Sequence, residues 1–449
     1  MAGEGTDHIV LVSADGHGAA PPEHYRPYFE ARYQSLIEEL IEENEMWQRL
    51  TGPFTGCSEE VYELIDPDRA MRDGGWTGAW DPHVRLREMD REGVAAEVML
   101  HNVNQLALPF FGNINRPWPA EYRLAGSRAY NRWLADFITE TRGRVMGTAQ
   151  PGPCLDMAEA VREIGWSAEH GLKGIGLPRI TDDPSLPPLN DPYYEPYWSE
   201  VEATGLVLQI HAGYGKAQGE FHGFLRRLVA ENLSKEEALH ELTFAADSPL
   251  LPDMRPRRAL WQLMLGGVFD RHPGLKLVFT EVRADWIPAT LEQLDRRFEE
   301  GGTNLAKRPS EYWQENCYVA VSFPHKCEIP MRHEIGIRQF MFGRDYPHSE
   351  STWPNTLDWI RDSMQGVPES EARLILGGNA IECFGLDRAK LEAVAREVGP
   401  LSADLLGRDF SVDPRLIDHF QERGGYLKEP EDVDVDVVAR LFDEDLAYS

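Results

Sequence analysis

Residues 8–18 read HIVLVSADGHG, an apolar run (Ile9-Val10-Leu11-Val12) that ends in an acid and a histidine two positions apart. The run has the β-branched composition of a buried strand. Side chains at i and i+2 share one face of a strand, so Asp15 and His17 are expected to converge where the chain leaves the core. A polar strand end accounts for either residue alone. Whether the pair is more than that depends on what the rest of the chain repeats.

Seven further runs have the same character: AAEVMLHNV (95–103), VMGTAQPG (145–152), LKGIGLP (172–178), LVLQIHAG (206–213), LKLVFTEV (275–282), NCYVAVSF (316–323) and IRQFMFGRDYPH (337–348). Between them lie segments such as RAYNRWLADFITETR and DMAEAVREIGWSAEH, with apolar residues at helical spacing. Strands alternating with helices predict parallel pairing, and eight such units are the number that closes a (β/α)8 barrel. An open, doubly wound sheet is the alternative. The expected fold is therefore α/β: a TIM-like barrel over residues 1–387, interrupted by insertions at about 20–83 after the first strand and about 214–256 after the fifth. An acidic helical extension is expected over 388–449.

A chain of 449 residues with 42% hydrophobic content buries a core without staples. Five cysteines (Cys57, Cys154, Cys317, Cys327, Cys383) are scattered with no close pair, which reads as structural thiols in a reducing compartment. A formal charge of −30 opposes binding to nucleic acid or an anionic membrane. No window approaches the roughly 18 apolar residues of a membrane span, and MAGEGTDHIV lacks the basic and apolar segments of a signal peptide. The expectation is a soluble, cytoplasmic protein that acts on a small molecule.

In a barrel, reactive side chains gather at the carboxyl ends of the strands. That rule selects Asp15 and His17, Lys173 within the fourth strand, His211 on the fifth, Glu281 on the sixth and Asp345 on the eighth. Glu97 and His101 on the second strand are polar as well and are expected to be supporting or structural groups. Burying so many carboxylates together is costly unless a cation compensates. Imidazole and carboxylate donors without cysteine suit zinc, manganese or iron better than a purely structural zinc site.

SADGHG followed by PPEHYRPY, then QIHAG, FTEVRADWIP, FGRDYPHSESTWP and the closing LILGGNAIECFGLD, resemble the amidohydrolase-2 group of the amidohydrolase superfamily over about residues 8–387. That group includes hydrolases and metal-dependent decarboxylases similar to aminocarboxymuconate semialdehyde decarboxylase, and some longer members resemble an iron-dependent acyl-CoA thioesterase. The resemblance implies that Asp15 and His17 fill the superfamily's His-x-His place, with an acid in the first position. His211 matches the metal histidine of the fifth strand and Asp345 the aspartate of the eighth. Glu281 stands where many members carry a histidine. As a ligand it would let His211 and Glu281 hold a second ion while Asp15, His17 and Asp345 hold the first. Lys173 falls on the strand that sometimes supplies a bridging carboxylated lysine. Arg344 replaces the small residue usual before the aspartate and would meet an anionic substrate or cover the barrel rim. Barrels of this group often pair, so a homodimer is expected.

One site of this kind supports two reactions. In hydrolysis the ion activates a water and polarises a carbonyl, with Asp345 and His211 as the catalytic pair and Asp345 moving the proton. In decarboxylation Asp345 protonates the carbon that loses carbon dioxide. Trp76, Trp80, Tyr214, Phe221 and Phe224 in the insertions suggest a roomy apolar pocket, which favours hydrolysis of an ester, thioester or amide of a bulky substrate. Arg283, Arg344, His348 and Lys173 are the expected substrate contacts, with Arg179 and Lys216 near the same mouth. Non-oxidative decarboxylation is the alternative, and an inactive metal-binding scaffold is the third reading.

Overall fold

The computed structural model describes residues 7–449 apart from 52–57, 103–105, 107, 111–117, 180–182, 215–229, 232–236, 238–253, 349–350, 408–409 and 424–434. The strands are β1 (Leu11–Ser13), β2 (Val94–Met99), β3 (Val145–Ala149), β4 (Gly174–Gly176), β5 (Val207–His211), β6 (Leu277–Thr280), β7 (Cys317–Ala320) and β8 (Phe340–Met341). Each pairs in parallel with its successor, in sequence order. Beyond β8 the seam to the first strand is made by Ala14 N donating to Phe342 O (2.8 Å), Asp345 N to Asp15 O (3.1 Å) and His17 N to Tyr346 O (2.7 Å). The result is the expected (β/α)8 barrel, and the open sheet is excluded by that seam.

Alternation along the strands builds two apolar layers. Val12, Val98, Met146, Val207, Val278, Ala320 and Met341 form one cluster, which Ala380, Ile381 and Phe384 of the closing motif complete. Leu208, Ile210, Leu277, Phe279, Val319, Phe340 and Phe342 belong to the other, which packs against the surrounding helices. Gly377 of the closing motif needs its missing side chain: a Cβ there would meet Val10 O at 2.1 Å. The motif therefore wedges directly under the first strand, and Phe342 N donates to Ile375 O at 2.9 Å from the same turn.

The strands are shorter than the apolar runs that announce them, because the chain bends into loops where the polar residues begin. After β1, the described residues between 22 and 91 run through 3-10 and α-helical pieces that end in the helix Pro82–Arg91. The carboxyl-terminal helices pack on the barrel: Leu416, Ile417 and Phe420 join Ile65, Phe323 and Trp359, and the helix Val435–Tyr448 lies against Met254–Leu265. Among the described residues no helix is long and apolar enough to cross a membrane. Cys154, Cys317, Cys327 and Cys383 are unbridged thiols, while Cys57 lies outside the described residues.

Candidate metal centre

Asp15 and His17 leave β1 on a short loop tied to β2 on one side and β8 on the other. Leu100 N donates to Gly16 O (2.7 Å) and Gly18 N to Leu100 O (2.8 Å), while the β8 seam holds the other edge. His211 is the last residue of β5. Glu281 follows β6 and Asp345 follows β8, each with φ of 55°. Non-glycine residues rarely occupy that left-handed region, and where they do the strain is usually held for a function. Here the reversal turns both carboxylates toward one point.

The donors meet closely. His17 Nε2 is 3.1 Å from His211 Nε2, 3.4 Å from Asp15 Oδ1 and 3.3 Å from Asp345 Oδ1. His211 Nε2 is also 3.7 Å from Asp15 Oδ1 and 3.3 Å from Glu281 Oε2. The far ring nitrogens are engaged with backbone carbonyls: His17 Nδ1 with His101 O at 2.9 Å and His211 Nδ1 with Ala212 O at 3.0 Å. A carbonyl only accepts, so each Nδ1 carries its proton and donates. In neutral rings both Nε2 atoms then present lone pairs, to each other and to three carboxylates.

Such a set repels itself unless a cation sits among it. Neither oxygen of Asp15, fully buried, receives a hydrogen bond, which is expensive for an ion in a protein interior. An ion with bonds of about 2.1 Å spaces adjacent donors about 3.0 Å apart in octahedral and about 3.4 Å in tetrahedral surroundings. The observed separations among His17, His211, Asp15 and Asp345 fall in or near that range. The residues therefore fit a divalent metal: among the described residues Asp15, His17 and His211 form one group of converging donors and His17, Asp345 and His348 another, with His17 shared.

The electrostatics agree. Burial alone would raise the Asp15 carboxyl, but His17 and His211 beside it outweigh that and hold it below the usual carboxylate range. Burial pushes the His17 imidazole down to about 4, with the neighbouring His348 and His211 adding to the effect, so the ring is neutral and ready to ligate. His211 moves the other way: burial pulls it down, yet Asp15 and Glu281 raise it above its ordinary value. That is the response of an acid-rich pocket, which favours positive charge at its centre.

The remaining candidates divide. His348 joins the cluster, its Nδ1 2.8 Å from Asp345 Oδ1 and its ring 4.0 Å from that of His17. Arg283 is buried and paired with Asp285 at 2.8 Å. Arg344 does not face the mouth. It alternates with Asp345 to the other side of the wall, fully buried, and pairs with Glu92 (2.6 Å) and Glu97 (3.0 Å); the expected contact with substrate is corrected accordingly. Lys173 is also displaced from its expected role. It precedes β4, is exposed, and lies level with Val207 at the amino end of β5, away from the cluster. Trp80 packs on Ala19, Ala79 and Leu106, Trp76 meets it edge-on at 4.9 Å, and Tyr214 is buried and donates to Pro178 O. Lys216, Phe221 and Phe224 lie outside the described residues. Sequence reasoning treated His101 as a side chain, whereas its backbone carbonyl is what orients His17. It had no signal for Arg85, whose partners come from four different segments of the chain.

Residues 75–386 match the amidohydrolase family profile. The chain is 25% identical over 328 residues to γ-resorcylate decarboxylase of Rhodococcus jostii (strain RHA1), covering 69% of this chain and 92% of that protein. It is 24% identical over 322 residues to 2-amino-3-carboxymuconate-6-semialdehyde decarboxylase of Dictyostelium discoideum, covering 70% of this chain and 79% of the relative. A solved dihydroxybenzoic acid decarboxylase from Polaromonas sp. JS666, with bound manganese and the inhibitor 2-nitroresorcinol, superposes with a TM-score of 0.53 at 17% identity, covering 85% of this chain and 99% of that one. Both curated relatives are decarboxylases, and this overturns the expectation of an ester, thioester or amide hydrolase.

Proposed function

The chain belongs to the amidohydrolase family, and on that premise we propose that it is a metal-dependent non-oxidative decarboxylase of a small conjugated carboxylic acid, with Mn2+ as its resident ion. The observation that carries this reading is the likeness to two decarboxylases across 69% and 70% of the chain. Donors rich in carboxylate oxygen favour manganese among the candidate ions, and manganese is the ion in the Polaromonas enzyme.

When bound, the ion supplies positive charge that draws in a substrate oxygen and stabilises negative charge developing on it. The proton chemistry belongs to the side chains. Asp345 Oδ1 lies 2.8 Å from His348 Nδ1, which sets a proton donor against it, while the lone pair of His17 Nε2, 3.3 Å away, would serve the ion. Asp345 delivers that proton to the carbon bearing the carboxylate. The carbon–carboxylate bond then breaks, its electron pair returns to the conjugated system, and carbon dioxide leaves. One carboxylate and one proton become one C–H bond and one CO2. His348, at 13% exposure the more open of the pair, returns a proton to Asp345 from solvent. His211 binds and orients, its ring fixed by the Ala212 carbonyl.

The test is carbon dioxide release from a panel of hydroxybenzoic and unsaturated carboxylic acids by Mn2+-loaded protein. Release from at least one is expected; a panel that yields none, with metal bound, contradicts the reading.

A further inference from the structure

Behind the donor cluster, on the far side of the barrel wall, four charged side chains are almost completely sealed from water: Arg85, Glu97 and Arg344 at 0% exposure and Glu92 at 2%. Glu97 stands at the centre. It takes Arg344 Nε on Oε1 (3.0 Å) and both Arg344 Nη2 (3.2 Å) and Arg85 Nε (2.8 Å) on Oε2. Arg344 Nη1 continues to Glu92 Oε2 (2.6 Å), whose other oxygen accepts from Thr356 N (2.8 Å). Both guanidinium groups lie over the ring of Tyr346, at 4.7 Å for Arg85 and 4.5 Å for Arg344. The formal charges of the four groups cancel.

Stability does not explain this arrangement. Desolvating each ion costs several kcal/mol, and apolar side chains of similar volume usually serve as well or better. What the network does possess is position. Arg85 Nη1 donates to His17 O at 2.5 Å, and Arg344 is the residue next to Asp345. Glu97 lies so close under the loop between Asp15 and His17 that a Cβ on Gly16 would meet its Oε1 at 2.4 Å. The network therefore crosses the seam between β8, two residues long, and β1, three residues long, where the strand ladder is briefest. Across that seam sit three of the five donors.

We propose that the Arg85–Glu97–Arg344–Glu92 network is a positioning device, which holds the Asp15–His17 loop and Asp345 at the spacing that a bound ion requires. The inference rests on the metal-centre reading above. Groups that orient ligands from behind typically change metal affinity ten- to a hundredfold when altered. Arg85 and Glu97 are the decisive members because they touch the loop itself.

The experiment titrates MnCl2 into metal-depleted wild type and into the Arg344→Gln, Glu97→Gln and Arg85→Lys variants by calorimetry, and records absorption spectra of the Co2+-loaded proteins. Circular dichroism identifies the variants that fold. The expected result is about ten- to a hundredfold weaker Mn2+ binding in the folded variants, with shifted Co2+ bands. Arg85→Lys keeps the charge and leaves the Arg344–Glu97 pair intact, so it carries the test if Arg344→Gln fails to fold. Wild-type affinity together with an unchanged Co2+ spectrum in a folded variant overturns the positioning role while leaving the metal centre standing. Wild-type protein that takes up neither ion overturns the metal-centre reading, and this inference with it.

Discussion

His17 and His211 point their Nε2 atoms at each other across 3.1 Å, while each Nδ1 is held by a backbone carbonyl. Two imidazoles with both outer protons committed in this way face each other stably when positive charge lies between them, either a proton on the raised His211 or a bound metal ion. His17→Ala and His211→Ala are each expected to purify with metal at background level by elemental analysis, whereas wild type holds it. Metal content equal to wild type in either variant contradicts the shell. Chelation of wild type is expected to abolish turnover and MnCl2 to restore it.

The depressed pKa of His17 sets a pH dependence in the metal-free protein. Its folded value of about 4 lies below the ordinary 6.5, so below pH 6.5 the unfolded chain takes up a proton that the folded chain refuses. The stability tied to the neutral ring is fully present above pH 6.5 and is lost as pH falls toward 4. That interval corresponds to about 3 kcal/mol. His17→Asn removes it, so metal-free wild type should lose about 3 kcal/mol more than the variant between pH 7 and pH 4 in urea denaturation. Parallel losses would count against a buried neutral His17.

The carboxyl-terminal helix is held by one buried acid. Asp445 accepts from Arg258 through both oxygens (2.7 and 2.8 Å), from Trp261 Nε1 (2.8 Å) and from Gln262 Nε2 (3.0 Å). Asp445→Asn leaves Arg258 with only the longer contact to Glu444 (3.4 Å) as counter-charge and should cost roughly 2 kcal/mol. The expected outcome is faster proteolysis within the helix Val435–Tyr448 and unchanged metal content. Resistance equal to wild type would show that the apolar contacts of Val438 and Phe442 suffice.

Gly377→Ala tests the closure of the barrel below the first strand. The added methyl would overlap the Val10 carbonyl at 2.1 Å, a backbone atom that cannot swing aside. A loss of about 1–3 kcal/mol in denaturation midpoint terms is expected, with metal affinity of the folded fraction preserved. A neutral substitution would mean that the closing motif packs more loosely than its geometry requires.

How much of this was legible in the sequence follows from how each feature is encoded. The eight strands were readable because their apolar runs are local, and Asp15, His17, His211, Glu281 and Asp345 stood out as polar residues at the ends of those runs. Lys173 was misplaced because LKGIGLP marks a strand without marking its direction of approach; the lysine sits before the first paired residue, not after the last. Arg344 was misread because alternation within a two-residue strand is too short to register, and its partners Glu92 and Glu97 are some 250 positions away. The reaction itself was not encoded in the donor set, since the same carboxylates and imidazoles serve water activation and carbon protonation alike. The aromatic residues taken as a sign of a bulky substrate turn out in part to be packing: Tyr214 is buried and Trp80 rests on small side chains.

In the proposed reaction Asp345 places a proton on the carbon that loses carbon dioxide. Mn2+-loaded protein is incubated in D2O with the most active acid of the panel, and the product is examined by proton and deuterium NMR. One deuterium is expected at the carbon that bore the carboxylate, formed in step with carbon dioxide, and neither product nor label with metal-replete Asp345→Asn. Undiminished turnover and labelling in that variant would contradict it.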